Sequence, residues 1–223
     1  EKIALPGEIL SVTFTNKAAN EMRDRITNQI GDMSSGLKWL GTFHSVGAQI
    51  LRFHPNKLGL ENDFIILDTD DQVRLLKQII KDENIDDKRW PAKQLLNLID
   101  KWKNKGLYPE DISSNDGDYF ANAKGHLLYK IYQERLKYFN AVDFGDLILE
   151  SIRLFENNQD ILESYQNRFK YILVDEYQDT NVSQYKLLKL LTGKYQNICC
   201  VGDDDQSIYS WRGACLLYTS DAA

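Results

Sequence analysis

Tyr171-Ile172-Leu173-Val174-Asp175-Glu176-Tyr177-Gln178-Asp179-Thr180 is the stretch on which the reading of this chain turns. Its first four residues form a short apolar run, which reads as a buried strand. Two carboxylates follow at once, at the C-terminal end of that strand. In an open α/β sheet, ligands bind outside the carboxyl ends of the strands. Mg²⁺ takes oxygen ligands and is commonly held by one or two carboxylates. Phosphoryl transfer to water also needs a group that orients the nucleophile. Adjacent carboxylates at a strand end can divide these tasks, because the chain is leaving the alternating pleat there. An acidic pair capping the next helix is the alternative.

A second apolar run, Ile198-Cys199-Cys200-Val201, follows about 25 residues later, the spacing of one strand–helix–strand unit. A helix is expected near Val182–Leu191 between the two strands. The second run ends in Gly202-Asp203-Asp204-Asp205-Gln206-Ser207-Ile208-Tyr209-Ser210-Trp211-Arg212-Gly213-Ala214. The neutral amide of Gln206 can donate to a terminal phosphate and report its presence; the alternative is a turn residue in a Gly-Asp-rich loop. Tyr209 and Trp211 can stack on unpaired bases without sequence preference, or pack in a core or domain interface. Two polar strand tips suggest a nucleotide-hydrolysing core, and the aromatics suggest that it works on a nucleic acid.

Working back from this pair, the N-terminal part reads β-α-β-α, a parallel-sheet signature. Glu8–Phe14 forms a strand, and a helix runs from Lys17 to Ile30 after the cap signal Thr15-Asn16. Leu37–Thr42 forms a second strand. A helix from about Ser45 ends at Phe53, before Pro55. Thr13-Phe14-Thr15-Asn16-Lys17 therefore opens a helix at a strand tip, where backbone amides and hydroxyls suit phosphate. Phe14 could stack on a base, and Lys17 could be an ordinary surface lysine. Gly41-Thr42-Phe43-His44-Ser45 repeats the logic at the second strand tip, with a capping role as the alternative for His44.

From about Phe64 the pattern changes to helices alone. Thr69-Asp70-Asp71-Gln72 reads as a capping box opening a helix to about Asp82. Pro91 opens another to about Asn104. Ser113–Gly117 reads as a loop, and further helices are expected over Ala121–Phe139 and Asp143–Phe155. The organisation is an α/β body interrupted by an all-α insertion. Its parts are residues 1–63, the insertion 64–142, residues 143–214, and an atypical tail 215–223.

The bulk numbers narrow the classes further. The chain has 223 residues, 43% hydrophobic and 27% charged, an ordinary globular composition. No apolar run has the length of a membrane span. Its three cysteines, two of them adjacent, form neither a disulfide framework nor a zinc spacing. A reducing, cytoplasmic setting is expected, without a membrane partner. The net charge of −6 argues against nucleic-acid binding by bulk charge. Residues 88–105 are a local exception, with six Lys/Arg, one Asp and the interleaved Trp90 and Trp102. That segment is either a solvated helix face with packed tryptophans or a nucleic-acid contact.

Together these segments closely resemble superfamily 1 DNA helicases of the UvrD/PcrA/Rep type. Residues 13–19, TFTNKAA, look like motif Ia, and 41–45, GTFHS, like motif Ib. VDEYQDTN (174–181) resembles motif II, and VGDDDQSIYSWRGA (201–214) resembles motif III. DFGDLI (143–148) is similar to the family's DFDDL segment, with Gly145 as a departure. The resemblance implies a RecA-like P-loop NTPase sheet with a 1B-type insertion that touches duplex DNA. It implies ATP and Mg²⁺ as cofactors, with single-stranded DNA and single/double-strand junctions as partners. Asp175 would hold Mg²⁺ through water, with Glu176 beside it activating the attacking water. Gln206 would contact the γ-phosphate. Phe14, Thr15, Asn16, Thr42, Phe43, His44, Tyr209 and Trp211 would meet DNA, and Arg212 would couple the two sites. The activity implied is 3′→5′ translocation and unwinding in DNA repair or replication.

The family's phosphate-cradling loop, G-x-x-x-x-G-K-[ST], occurs nowhere in the chain. The expectation is a helicase piece whose sheet lacks the strand bearing that loop, which leaves an exposed edge. Such a piece alone would neither hydrolyse ATP efficiently nor unwind DNA. Two other readings compete, an AddA/RecB-type helicase-nuclease subunit and a non-catalytic single-stranded-DNA-binding module.

Overall fold

The computed structural model describes residues 4–31, 36–113, 116–203 and 205. Four parallel strands form the main sheet: β1 (Ile9–Thr13), β2 (Leu40–Thr42), β5 (Tyr171–Val174) and β6 (Ile198–Cys200), in the order β2-β1-β5-β6. Val12 pairs with Gly41 on one side and Val174 on the other, and Val174 pairs with Cys200. The carboxyl ends of all four strands therefore lie along one edge. This is the mixed α/β fold with a parallel sheet that the β-α-β-α pattern implies.

Side-chain alternation assigns the faces. Leu10, Val12, Ile172 and Val174 point into the principal core. That core is completed by α2 (Phe43–Phe53), α6 (Phe144–Asn157), α7 (Gln159–Arg168) and α8 (Val182–Leu191). On the opposite face, α1 (Asn16–Ile30) packs Ala19, with Met22 and Ile26, against Leu37 and Leu40. Cover there is partial, since Leu173 is 40% exposed. Strand β6 is outermost among the described residues, and its three side chains are exposed.

The helical part has its own core. Helices α3 (Thr69–Asp82), α4 (Ala92–Asn104) and α5 (Gly125–Tyr138) bury Leu76, Ile79, Leu95, Ile99, Trp102, Tyr129 and Tyr132 together. Trp90 packs against the same cluster. The tryptophans of the basic segment are thus structural, and Lys103 within it is buried. Where the chain enters and leaves this layer, β3 (Ile65–Ile66) and β4 (Ala141–Val142) pair in parallel.

Several elements differ from the sequence reading. The cap of α3 is Asp68 rather than Thr69, its carboxylate accepting from the Asp71 amide at 2.9 Å. Helix α5 starts at Gly125, because Ala121, Asn122 and Ala123 adopt left-handed backbone and Asp118 accepts the Gly125 and His126 amides. The pair β3–β4 and helix α7 were not expected. Strand β2 begins at Leu40, so Leu37 to Trp39 precede it. No helix among the described residues is long and apolar enough to cross a membrane.

Candidate nucleotide and strand-binding edge

The carboxyl edge of the sheet gathers the polar strand tips. At β1, Thr15 caps α1 by accepting the Ala18 amide at 3.1 Å, and Asn16 begins the helix, both side chains exposed. At β2, Thr42 caps α2 by accepting the Ser45 amide at 3.1 Å. Thr42 and Phe43 are nonetheless buried, Phe43 at 4% exposure in the principal core. That corrects the expectation for Phe43: it is a core residue, with no ring face left for a base. His44, half-buried, sits one position further along α2.

His44 has a neighbour that motif reading missed. Phe144, the first residue of α6, lies edge-on to it with ring centroids 5.9 Å apart, and is 50% exposed. The DFGDLI segment thereby places an aromatic ring beside the β2 tip. Sequence gave a signal for the segment but none for the ring's neighbour.

At β5, the Asp175 amide donates to Val12, which keeps the first carboxylate in register with β1. Glu176 then takes left-handed backbone, φ 55° and ψ 43°. For a residue with a side chain this conformation is costly, and it persists only where the surroundings fix it. Here the fixing group is Gln178, buried and donating its side-chain amide to the Glu176 carboxylate. The Gln178 carbonyl accepts the Asp203 amide at 3.1 Å. The Tyr177 amide donates to Val201 at 3.0 Å. Gly202 permits this crossing, since a Cβ there would stand 2.6 Å from the Gln178 carbonyl oxygen. The two acidic strand tips are thus tied to each other through Gln178, a residue the sequence reading did not single out.

Three buried polar oxygens near this edge have no hydrogen-bond partner among the described residues: Thr13 Oγ1, Asp179 Oδ1 and Thr180 Oγ1. Burial, reinforced by the charge of Glu176, holds the Asp179 carboxyl above its ordinary range. Hard oxygen donors with unused capacity suit a hydrated Mg²⁺ held by one or two carboxylates. No group of three or more His, Cys, Asp or Glu side chains among the described residues forms a metal cage. Gln206, Tyr209, Trp211 and Arg212 lie outside the described residues.

In a parallel α/β sheet ligands bind outside the carboxyl ends of the strands, and carboxylates at such an edge suit a domain that handles a nucleotide. Residues 1–221 match the model of the UvrD/REP helicase N-terminal domain, and the chain belongs to that family. It is 48% identical over 217 residues to a probable DNA helicase II homolog of Rickettsia felis, covering 96% of this chain and 33% of that protein. It is 45% identical over 214 residues to the ATP-dependent DNA helicase PcrA of Staphylococcus aureus, covering 96% of this chain and 29% of that protein. The chain thus spans about a third of the length of the curated relatives it matches.

Proposed function

We propose that the chain is the nucleotide- and strand-binding part of an ATP-dependent DNA helicase that translocates 3′→5′ on single-stranded DNA in the cytoplasm. In this reading residues 1–63 and 143–214 form the first RecA-like domain. Residues 64–142 are the insertion, which meets the duplex at a junction. The observation that carries it is the Gln178 bridge. One buried amide side chain bonds the Glu176 carboxylate, holding it in a strained conformation, and also accepts the Asp203 amide, three residues before Gln206 in the sequence. A change at the nucleotide's terminal phosphate sensed by Gln206 would reach Glu176 through that bridge. Two of the chain's relatives, the ATP-dependent DNA helicase PcrA of Staphylococcus aureus and the probable DNA helicase II homolog of Rickettsia felis, support the same reading.

Mg²⁺–ATP, when bound, supplies the phosphoryl group and the field that polarises it. Asp175 would hold the hydrated cation, and Glu176 beside it would orient the attacking water and take up its proton. Arg212 couples the nucleotide to the strand. Thr15, Asn16 and Thr42 offer helix N-termini to the DNA backbone, where amides favour phosphate. Phe14, His44, Tyr209 and Trp211 offer rings to unpaired bases, and Phe144 joins them. Because stacking is sequence-tolerant, the grip suits a protein that must step along any strand.

The test is fluorescence anisotropy of a labelled dT16 oligonucleotide against a duplex of equal length. The 223-residue chain is expected to prefer the single strand, with affinity falling as salt rises. Phe144→Ala and His44→Ala should each weaken binding by roughly five- to a hundredfold, the range of one lost stack. Equal affinity for both DNAs, unchanged in these variants, would overturn the reading. With no G-x-x-x-x-G-K-[ST] in its sequence, the chain should release phosphate only slowly with or without DNA. Vigorous DNA-stimulated hydrolysis would contradict that part.

A further inference from the structure

Among the described residues, one buried lysine outside the strand-binding edge uses every donor it has. Lys103, near the end of α4 in the helical layer, is 1% exposed. Its ammonium donates to Asp143 Oδ2 and Asp146 Oδ1, both at 2.6 Å, and to Gln133 Oε1 at 3.1 Å. These use all three of its donors. The carboxylates are equally engaged. Asp143 accepts the Asp146 amide, Asp146 accepts the Asp143 amide, and Tyr132 donates to Asp143 at 3.0 Å. Burial alone would favour a neutral lysine, yet the two carboxylates hold its proton more tightly than usual.

A buried ion pair is weak evidence for stability, because a well-packed apolar replacement often does as well. What this one supplies is geometry. Asp143 and Asp146 bracket the first turn of α6, and between them stand Phe144 and Gly145. Phe144 is half exposed, so its own packing does not fix it. Gly145 lies against the lysine stem: a Cβ there would be 2.7 Å from Lys103 Cδ and 3.1 Å from Lys103 Cβ. The glycine at this departure from the family wording is thus the space that the lysine fills.

We propose that Lys103 is a positioning residue for the strand-binding edge: from the helical layer it fixes the Asp143–Asp146 turn so that Phe144 stands against His44. The proposal rests on the reading of that edge as the DNA path. It makes the aromatic pair depend on a helix that belongs to the insertion, and so ties the insertion's placement to the grip on the strand.

The chain's three histidines make the test direct. In the isotope-labelled 223-residue chain, Phe144→Ala removes a ring from beside His44 and should move the His44 imidazole resonance. Lys103→Met, which keeps the stem and removes the charge, should move that resonance in the same direction by at least about half as much. His54, at the far end of α2, packs against Tyr165 in the principal core and should stay in place, reporting an intact fold. In dT16 binding, Lys103→Met should cost about fivefold in the native background and less than about twofold beside Phe144→Ala, a coupling that general destabilisation does not produce. If Lys103→Met does not fold, Gly145→Ala presses on the same stem and should move His44 alike. An unmoved His44 resonance with His54 in place, or equal losses of affinity in both backgrounds, would overturn the proposal. If Phe144→Ala moves His44 without affecting DNA binding, the strand-path reading fails, and the resonance arm still decides whether Lys103 positions the ring.

Discussion

At the scale of single residues, the buried charges carry the sharpest consequences. Asp143 caps α6 and shares Lys103 with Asp146. Asp143→Ala removes the cap and leaves Lys103 with one carboxylate, so a loss of about 3–5 kcal/mol is expected in chemical denaturation. Glu150 lies one turn beyond Asp146 on α6, 3.4 Å from Arg153. Burial first, then the charge of Asp146, push its carboxyl up to about 7, while Arg153 and Lys103 pull the other way and Glu110 adds to the rise. A raised carboxyl means that folding takes up a proton between its unfolded and folded values. Stability therefore increases as pH falls from 8 toward 5. Each tenfold change in acidity is worth about 1.4 kcal/mol, so the charged form costs up to about 3 kcal/mol at pH 8. Glu150→Gln should raise the thermal midpoint at pH 8, leave it nearly unchanged at pH 5, and flatten the profile between. An unchanged slope in that variant would refute the assignment. Below pH 4 the sign reverses, as carboxylates held low, such as Asp143, are protonated and their stabilisation is lost.

At the scale of elements, close approach sets the tolerances. Helices α2 and α6 touch where Gly47 meets the backbone oxygen of Leu147, and a Cβ at 47 would collide with it. Since backbone cannot yield as a side-chain tip can, Gly47→Ala should cost about 1–3 kcal/mol despite its better helix propensity. A variant as stable as the parent would mean that the helices separate freely. The same distinction explains what the sequence could tell. Strand β5 and helix α8 were legible, because a short apolar run is a local signal and the spacing to the next apolar run leaves room for one helix. Helix α5 was misplaced at its start because Asp118, several residues upstream, supplies the cap. Pairs as short as β3 and β4 have no periodicity to read. The acidic strand tips of the site were legible for the same reason as the strands. Gln178 and Phe144 were not, since one is bonded to Asp203, beyond the end of β6, and the other meets a ring on another helix. Lys103 was hidden inside a segment whose other basic residues are exposed, and Phe43 was given to DNA although its position faces the core.

At the scale of the molecule, two cores meet along α6 and α8, where α4 contributes both Lys103 and Asn104, the latter accepting from Asn181 at 2.9 Å. Such bonding should make the halves unfold together. Trp39 reports the principal core and Trp102 the helical one. Chains retaining only one of these tryptophans are expected to show coincident urea midpoints, and separated midpoints would mean that the layers are independent. The sheet adds one more consequence. Val12 of β1 hydrogen-bonds across to a strand roughly 160 residues away in the chain, with the whole helical layer in between. At ribosomal rates of about 5–20 residues per second, β1 emerges roughly ten to thirty seconds before its partner exists. The helical layer, built from local contacts, can finish in that interval. Synthesis thus leaves time for the helical layer to form before β1 meets β5, and the length of chain between them sets how long β1 must wait.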